Sequence, residues 1–145
     1  MNNKILYGLV LFISVFFIIG CNNRNDLETY SKEVIGSMKV IINDDEYVIN
    51  LEENDTVKSF IDMLPQELNM NDLNNNEKYV YLDKTLPTNP INPKKINRGD
   101  VMLYGNDCLV IFYKSFKTSY SYTKIGHIDD LPDLGSKQIL VKFKK

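Results

Sequence analysis

The side chains best suited to bind a ligand are concentrated in residues 115–123, an aromatic segment that we call the lip. Phe116, Tyr120 and Tyr122 alternate there with serine and lysine residues, which is the period of an extended strand with two different faces. One face would carry rings and the other hydroxyl groups. Rings combined with a few polar groups are typical of ligand pockets. The lip therefore predicts a binding site at the wall of a rolled sheet, with these three rings the most exposed.

A second aromatic strand, earlier in the chain, adds to this predicted pocket. Glu77 stands at its start, and its carboxylate could face a cavity or could be a solvated group at a strand end. The rings could also simply fill the core of a small barrel. The candidate ligand-binding residues are Glu77, Tyr79, Tyr113, Phe116, Tyr120 and Tyr122, and the same pocket could include Tyr81, Ser119 and Thr123.

Residues for nucleophilic or metal chemistry are few. The only histidine is His127, and neither a second histidine nor a cysteine cluster accompanies it, so we expect no metal and no cofactor. Ser119 or Ser121 could be combined with His127 and Asp129, but sequence order does not supply the geometry of a catalytic triad. Cys108 lies in an apolar run and is expected to be a buried, unreactive thiol. No catalytic residue is predicted.

The N-terminal residues are typical of a targeting segment. The apolar run 5–19 is shorter than the ~20 residues that cross a bilayer. It is followed by Gly20 and Cys21, and the sequence Ile-Ile-Gly-Cys resembles the bacterial lipoprotein box. The resemblance implies a signal peptide over 1–20, a lipid on Cys21 and a tether over 21–37, which would hold the protein at the cell envelope outside the cytoplasm. An uncleaved membrane anchor, and a short amphipathic helix in place of the tether, are the alternatives.

The remaining residues, 38–145, are enough for one domain with its own core. The whole chain has a net charge of −2 at pH 7 and no strongly basic surface, so we expect no nucleic-acid partner. Contact with a membrane would come through the lipid anchor.

Alternation of apolar and polar residues predicts a mainly β domain. The last predicted strand should pair with the first hairpin, and the result would be a closed antiparallel barrel of about eight strands without free edges. The run Cys108–Tyr113 is continuously apolar, which indicates a strand buried on both faces. The predicted strands are 38–43, 47–52, 66–73, 77–82, 101–104, 108–113, 122–128 and 138–143.

Two segments depart from the strand pattern. Between Asn54 and Pro65 the apolar residues have helical spacing, which predicts one helix, capped by Asn54 or Asp55, that closes an end of the barrel. Residues 86–96 contain three prolines and cannot form a central strand. We call this segment the strap and expect it to cross the barrel in an extended conformation.

Four segments carry a family resemblance: Asn76–Tyr79, Leu86–Pro90, Arg98–Gly105 and Leu109–Asp129. Together they resemble the small bacterial proteins with a cyclophilin-like fold, over about residues 38–143. The resemblance implies a closed barrel of about eight strands with a capping helix. It implies no established reaction, although some relatives are joined to flavodoxin-like domains, which suggests a flavodoxin-like partner.

The fold raises the question of prolyl isomerisation, because true cyclophilins hold an arginine, within a Phe-His-Arg segment, against the substrate proline. The domain has one arginine, Arg98, and has neither a tryptophan nor a Phe-His-Arg segment. Since a fold does not carry an activity by itself, we expect a membrane-anchored module that binds a small molecule or an extended peptide. A weak prolyl isomerase or a redox-associated enzyme is the alternative.

Overall fold

The computed structural model describes residues 36–145 of the chain. The predicted signal peptide 1–20, Cys21 and nearly all of the predicted tether lie outside the described residues. These described residues form one compact unit. Its elements are β1 (Ser37–Ile42), β2 (Asp45–Leu51), α1 (Asp55–Asp62), β3 (Gln66–Leu73), β4 (Glu77–Tyr81), β5 (Lys95–Ile96), β6 (Asp100–Tyr104), β7 (Cys108–Phe112), β8 (Phe116–Lys117), β9 (Thr123–Ile128) and β10 (Ile139–Phe143).

Eight of these strands close into an antiparallel barrel, as the sequence predicted. Their order around the barrel is β1-β10-β3-β4-β7-β6-β9-β2, and β2 pairs with β1 to complete the circle. The last strand, β10, pairs with both β1 and β3. Closure leaves no barrel strand with an unpaired edge that could recruit another chain.

Asparagine residues form two of the tight turns between barrel strands. Asn43, between β1 and β2, has a φ of 54°, and Asn74 and Asn75, between β3 and β4, have φ values of 54° and 52°. Asparagine tolerates this left-handed conformation better than most residues. These Asn-rich segments of the sequence therefore correspond to turns.

The single helix within residues 36–145 covers the apolar interior of the barrel. Asn54 caps it by accepting a hydrogen bond of 2.8 Å from the Val57 N–H. Val57 and Phe60 are fully buried in the interior cluster, and the Phe60 ring packs edge-on against Phe143 at 5.1 Å between centroids.

Within residues 36–145, no helix is long and apolar enough to span a membrane.

The barrel wall separates two apolar clusters, and β7 contributes to both of them. Leu109 and Ile111 face the interior cluster, whereas Val110 and Phe112 face a smaller cluster on the outer surface. Every residue of β7 is buried, which confirms the expectation of a strand covered on both faces. The outer cluster consists of Ile96, Met102, Cys108, Val110, Phe112 and Tyr122, with Tyr79 and Phe116 packed against it.

The strap and the lip cover this outer cluster, but the lip is not the continuous strand that its alternation predicted. Only β8, at the start of the lip, pairs with β5 at the end of the strap. Farther along, Ile91 and Tyr122 form an isolated bridge with two backbone hydrogen bonds of 2.9 Å. Between these points, Asn92 Nδ2 donates to the Ser119 carbonyl at 2.9 Å. The strap thus fixes the lip through local contacts that take the place of strand pairing.

Candidate functional site

A cleft of about 500 Å³ lies on the outer face of the barrel, between the wall and the lip. Side chains fill the interior of the barrel, as they do in small eight-stranded barrels, so the cleft lies outside the rolled sheet. The cleft is lined by Leu73, Asn74, Asn76, Glu77, Tyr79, Tyr81, Tyr104, Cys108, Val110, Phe116, Lys117, Thr118, Ser119, Tyr120 and Tyr122.

The alternation of β4 places its acidic and aromatic residues in the cleft. Glu77, Tyr79 and Tyr81 line the cleft, whereas Lys78 is fully buried on the opposite side of the wall. Because side chains alternate along a strand, one register sets all of these orientations. The rings of Tyr79 and Tyr81 meet edge-to-face at 6.1 Å between centroids.

A chain of rings connects the outer cluster to solvent. Phe112 contacts Phe116 at 5.7 Å and Tyr122 at 5.5 Å, and Tyr104 in turn contacts Tyr122 at 5.6 Å and Tyr120 at 6.0 Å between centroids. Tyr120 remains 61% exposed and Tyr104 remains 46% exposed. The cleft thus has a buried aromatic base and an exposed aromatic rim.

Five of the six candidate residues from the sequence line this one cleft; their role in binding stays a prediction. The sixth, Tyr113, does not line it. Its side chain is 1% exposed in the interior cluster, and its hydroxyl donates to Asp72 Oδ1 at 2.6 Å. Tyr113 follows β7 with the parity of Leu109 and Ile111, so it faces inward. It is a core residue.

Two further expectations about the lip need correction. Tyr122 lines the cleft but is only 5% exposed, because it packs into the outer cluster. Thr123 is buried and its hydroxyl accepts a hydrogen bond of 3.0 Å from the Asn89 N–H, so it fixes the strap and does not reach the cleft. Ser119 and Tyr81 do line the cleft.

Sequence reasoning missed several lining residues, among them Asn76, Tyr104 and Thr118. Tyr104 could have been found from the alternation of β6, since Met102 packs into the outer cluster and Tyr104 has the same parity. Thr118 could also have been found, because it has the same parity in the lip as Phe116 and Tyr120, whereas Asn76 lies in a turn, where no periodic signal exists.

Burial raises the pKa of the Glu77 carboxyl above its ordinary value, and the negative charge of Asp72 raises it further. No hydrogen bond or ion pair joins this carboxylate to another side chain of residues 36–145. Burial, with Asp107 and Glu77 nearby, also raises the pKa of the Cys108 thiol to about 11. The cleft wall therefore combines a half-buried acidic group with a thiol that is protonated at neutral pH, and a protonated thiol is a poor nucleophile.

The only histidine lies outside the cleft. His127 Nδ1 is 2.9 Å from Asp100 Oδ1, and its Nε2 is 3.7 Å from Asp129 Oδ1. Ser119 lines the cleft and His127 does not, so the triad considered from the sequence has no support in the geometry. Within the described part of the chain, no group of three His, Cys, Asp or Glu side chains could hold a metal ion.

Arg98 is also absent from the cleft lining. It lies in the exposed turn before β6, where its N–H donates to the Ser115 hydroxyl at 2.8 Å. The cationic side chain that lines the cleft is Lys117, on β8. True cyclophilins hold an arginine against the substrate proline in an apolar cleft. The residues that line this cleft do not include an arginine.

Comparisons with known proteins identify the family of this chain. No curated protein and no solved structure matches it. A family model described as the cyclophilin-like family matches residues 40–145, which covers the whole barrel from the fourth residue of β1 onward. The chain belongs to the cyclophilin-like family.

Proposed function

We propose that the protein is a binding module that holds a small molecule or an extended peptide in the outer cleft, without chemical turnover. The aromatic cleft itself carries this proposal. Its volume of about 500 Å³ falls in the range of roughly 300–1,000 Å³ that is typical of small-molecule sites. A buried aromatic base provides apolar contact, while Glu77, Asn76 and Ser119 provide the few polar groups that orient a ligand.

The exposure of the rim supports binding over a purely structural role. Tyr81, Tyr104 and Tyr120 are 66%, 46% and 61% exposed, and all three line the cleft together with the partly exposed Leu73. Large apolar side chains exposed next to one another mark interaction sites more often than scattered ones do. Tyrosine suits this position because its ring is apolar and its hydroxyl is polar.

Amide chemical shifts of ¹⁵N-labelled fragment 34–145 test this proposal. The fragment contains every strand of the barrel and both apolar clusters. Titration with a library of small aromatic, aliphatic and peptide compounds is expected to shift amides of the cleft, such as those of Glu77, Tyr79 and Phe116. Shifts that are absent, or confined to the far side of the barrel at β1 and β10, would contradict binding in the cleft.

Prolyl isomerisation is the alternative activity, and the position of Arg98 disfavours it. We expect the fragment to give no isomerisation above the uncatalysed rate, and the Arg98→Ala variant to be indistinguishable from it. Turnover that depends on Arg98 would establish the enzyme in place of the binding module.

We further propose that the chain is a lipoprotein, anchored through Cys21 at the outer side of a cytoplasmic membrane or in an outer membrane. The apolar run and the Ile-Ile-Gly-Cys sequence support this. Acyl chains contribute about 0.8 kcal/mol per buried methylene, so several of them make a stable anchor. Cells that express the full chain are expected to incorporate alkyne-tagged fatty acid into it, and the Cys21→Ala variant should not be labelled. Unlabelled wild-type protein would contradict the anchor.

A further inference from the structure

On the basis of the function proposed above, we propose that the group recognised in the cleft is an organic cation, a primary ammonium or guanidinium on a short apolar stem. The geometry that points to it is the presence of unpartnered acceptors, Glu77 and Asn76, in a cleft whose other walls are mainly aromatic.

Glu77 is the first acceptor. Its carboxylate is half-buried, and no ion pair or hydrogen bond from residues 36–145 compensates its charge. A partly buried carboxylate without a partner is unfavourable, and a cationic ligand would relieve this by supplying both charge and N–H donors. Burial and the negative charge of Asp72 raise the pKa of this carboxyl, so a nearby positive charge would stabilise its ionised form.

Asn76 is the second acceptor. Its side-chain oxygen is buried and has no hydrogen-bond partner, the single buried side-chain N or O atom of the described residues in that state. The backbone around it is fixed, because the Asn76 N–H donates to Leu73 O at 3.2 Å and the Asn76 carbonyl accepts from the Tyr113 N–H at 3.0 Å. Unsatisfied buried acceptors are rare in native proteins, and this one belongs to a residue of the cleft wall, where its negative partial charge adds to the charge of Glu77.

The rings strengthen the same preference. The faces of tyrosine and phenylalanine attract cations, and Tyr79, Tyr81, Tyr104, Tyr120 and Phe116 all line the cleft. A ligand with N–H donors and one positive charge is complementary to these ring faces and to the Glu77 carboxylate, which would repel an anion.

Lys117 is the one cation among the cleft-lining residues, and it is exposed. Solvent and salt screen exposed charges much more than buried ones. On the wall, by contrast, Glu77 is half-buried; burial raises the pKa of the neighbouring Cys108 thiol, and the negative charges of Asp107 and Glu77 raise it further. The wall should therefore favour a cation in spite of Lys117.

Three ligands of one shape test this inference on fragment 34–145: phenethylamine, 2-phenylethanol and 3-phenylpropionate. They share a ring and a two-carbon stem and differ in being cationic, neutral and anionic. We expect the amine to bind about tenfold more tightly than the alcohol, the ratio that corresponds to one charge-assisted contact, and the acid to bind most weakly. The Glu77→Gln variant should abolish the preference for the amine, while Glu67→Gln, on the exposed part of β3, should retain it.

The cation could belong to a lysine side chain of an extended peptide or to a free small amine, and blocked peptides distinguish these two sources. Ac-Phe-Lys-Ala-NH₂ and Ac-Phe-Gln-Ala-NH₂ are titrated alongside phenethylamine. A lysine peptide that binds more tightly than the free amine assigns the cleft to extended chains, and the reverse order assigns it to small amines. Either order supports a cationic ligand, provided that the glutamine peptide binds more weakly than the lysine peptide.

The outcomes distinguish failure of this inference from failure of the proposed function. If the three phenyl compounds bind equally, or the acid binds best, or only other library compounds shift the cleft amides, the preference for cations is wrong and the binding function stands. If no compound of any charge shifts the cleft amides, both are wrong.

Discussion

Glu77 and Lys78 are neighbours in β4, but their charged groups lie on opposite sides of the barrel wall and have opposite surroundings. The Lys78 ammonium has no exposed surface and makes three contacts: Asp72 Oδ1 at 2.8 Å, Lys137 O at 2.7 Å and Gly135 O. The Glu77 carboxylate faces the cleft and has no such partner within residues 36–145. One charge therefore stabilises the fold, and the other is available to a ligand.

Replacement of Lys78 should destabilise the protein strongly. Lys78→Met removes three hydrogen bonds and leaves Asp72, which also accepts from Tyr113, without its counter-charge. Breaking one side of a buried ion pair typically costs about 3–5 kcal/mol. Urea unfolding of the variant should show a loss of this size in the free energy of unfolding.

Lys142→Met is the matched control, because Lys142 pairs with Glu67 at 3.7 Å at the surface. Exposed pairs of this kind contribute about 0–1 kcal/mol. A double variant, Lys78→Met with Asp72→Asn, should be more stable than the sum of the single changes predicts. Equal effects of the two lysine changes would contradict a structural role for Lys78.

Glu77→Gln should stabilise the free protein, and the effect should depend on pH. Because the folded state raises the pKa of Glu77 above its ordinary value of 4.5, the folded state binds this proton more tightly than the unfolded state does. Stability from this group is present at low pH and is lost as the pH rises through the folded pKa. The melting temperature of wild type relative to Glu77→Gln should therefore fall from about pH 4.5 upward and then level off. A relative melting temperature that is independent of pH, or that rises as the pH increases above about 4.5, would contradict the burial of this carboxylate.

The Cys108 thiol should react slowly in the native protein. The pKa of this thiol is about 11 in place of its ordinary 9.0, so the fraction present as thiolate at pH 8 is about 100-fold smaller. A more basic thiolate is also a stronger nucleophile, and this offsets part of the loss. Cys108 is the only cysteine of fragment 34–145. Iodoacetamide should alkylate the native fragment at least about tenfold more slowly than the fragment in urea. Equal rates would show an accessible, activated thiol, and the cleft would then have to be reconsidered as a catalytic site.

Gly99 should be intolerant of a side chain, and Gly105 should be tolerant. Both have positive φ values, 98° and 62°. A Cβ on Gly99 would collide with the Ile128 carbonyl oxygen and the His127 ring, whereas a Cβ on Gly105 would meet nothing within 4 Å. Gly105→Ala should cost about 1 kcal/mol from backbone strain alone. Gly99→Ala should cost at least about 2 kcal/mol more, measured by urea unfolding of both variants. Similar losses for the two variants would contradict the close packing of the turn before β6 against β9.

The barrel could be predicted from the sequence because its information is local and periodic. The continuous apolar run of β7 indicated burial on both faces, and the alternation of β2 and β10 indicated half-buried strands. Asn54 and the helical spacing after it predicted α1. In each case the pattern lies within a few consecutive residues and reflects which face meets the core.

The position and details of the site could not be predicted in the same way. The parity of β7 separates Tyr113 from Val110, but parity alone does not say which face is the interior and which is covered by the strap. Two of the three partners of Lys78 are carbonyl oxygens almost sixty residues away in the chain, at Gly135 and Lys137. The lip has the alternation of a strand, and contacts with the strap override it.

The most direct measurement is a crystal structure of fragment 34–145 purified from its own host without exchange of bound compounds, with mass spectrometry of the same sample. We predict a bound compound in the outer cleft, stacked on Tyr79 or Tyr122, with a donor group within hydrogen-bond distance of the Glu77 carboxylate. An empty cleft with a compound bound elsewhere, or a cleft closed by collapse of the lip onto β4, would contradict the account.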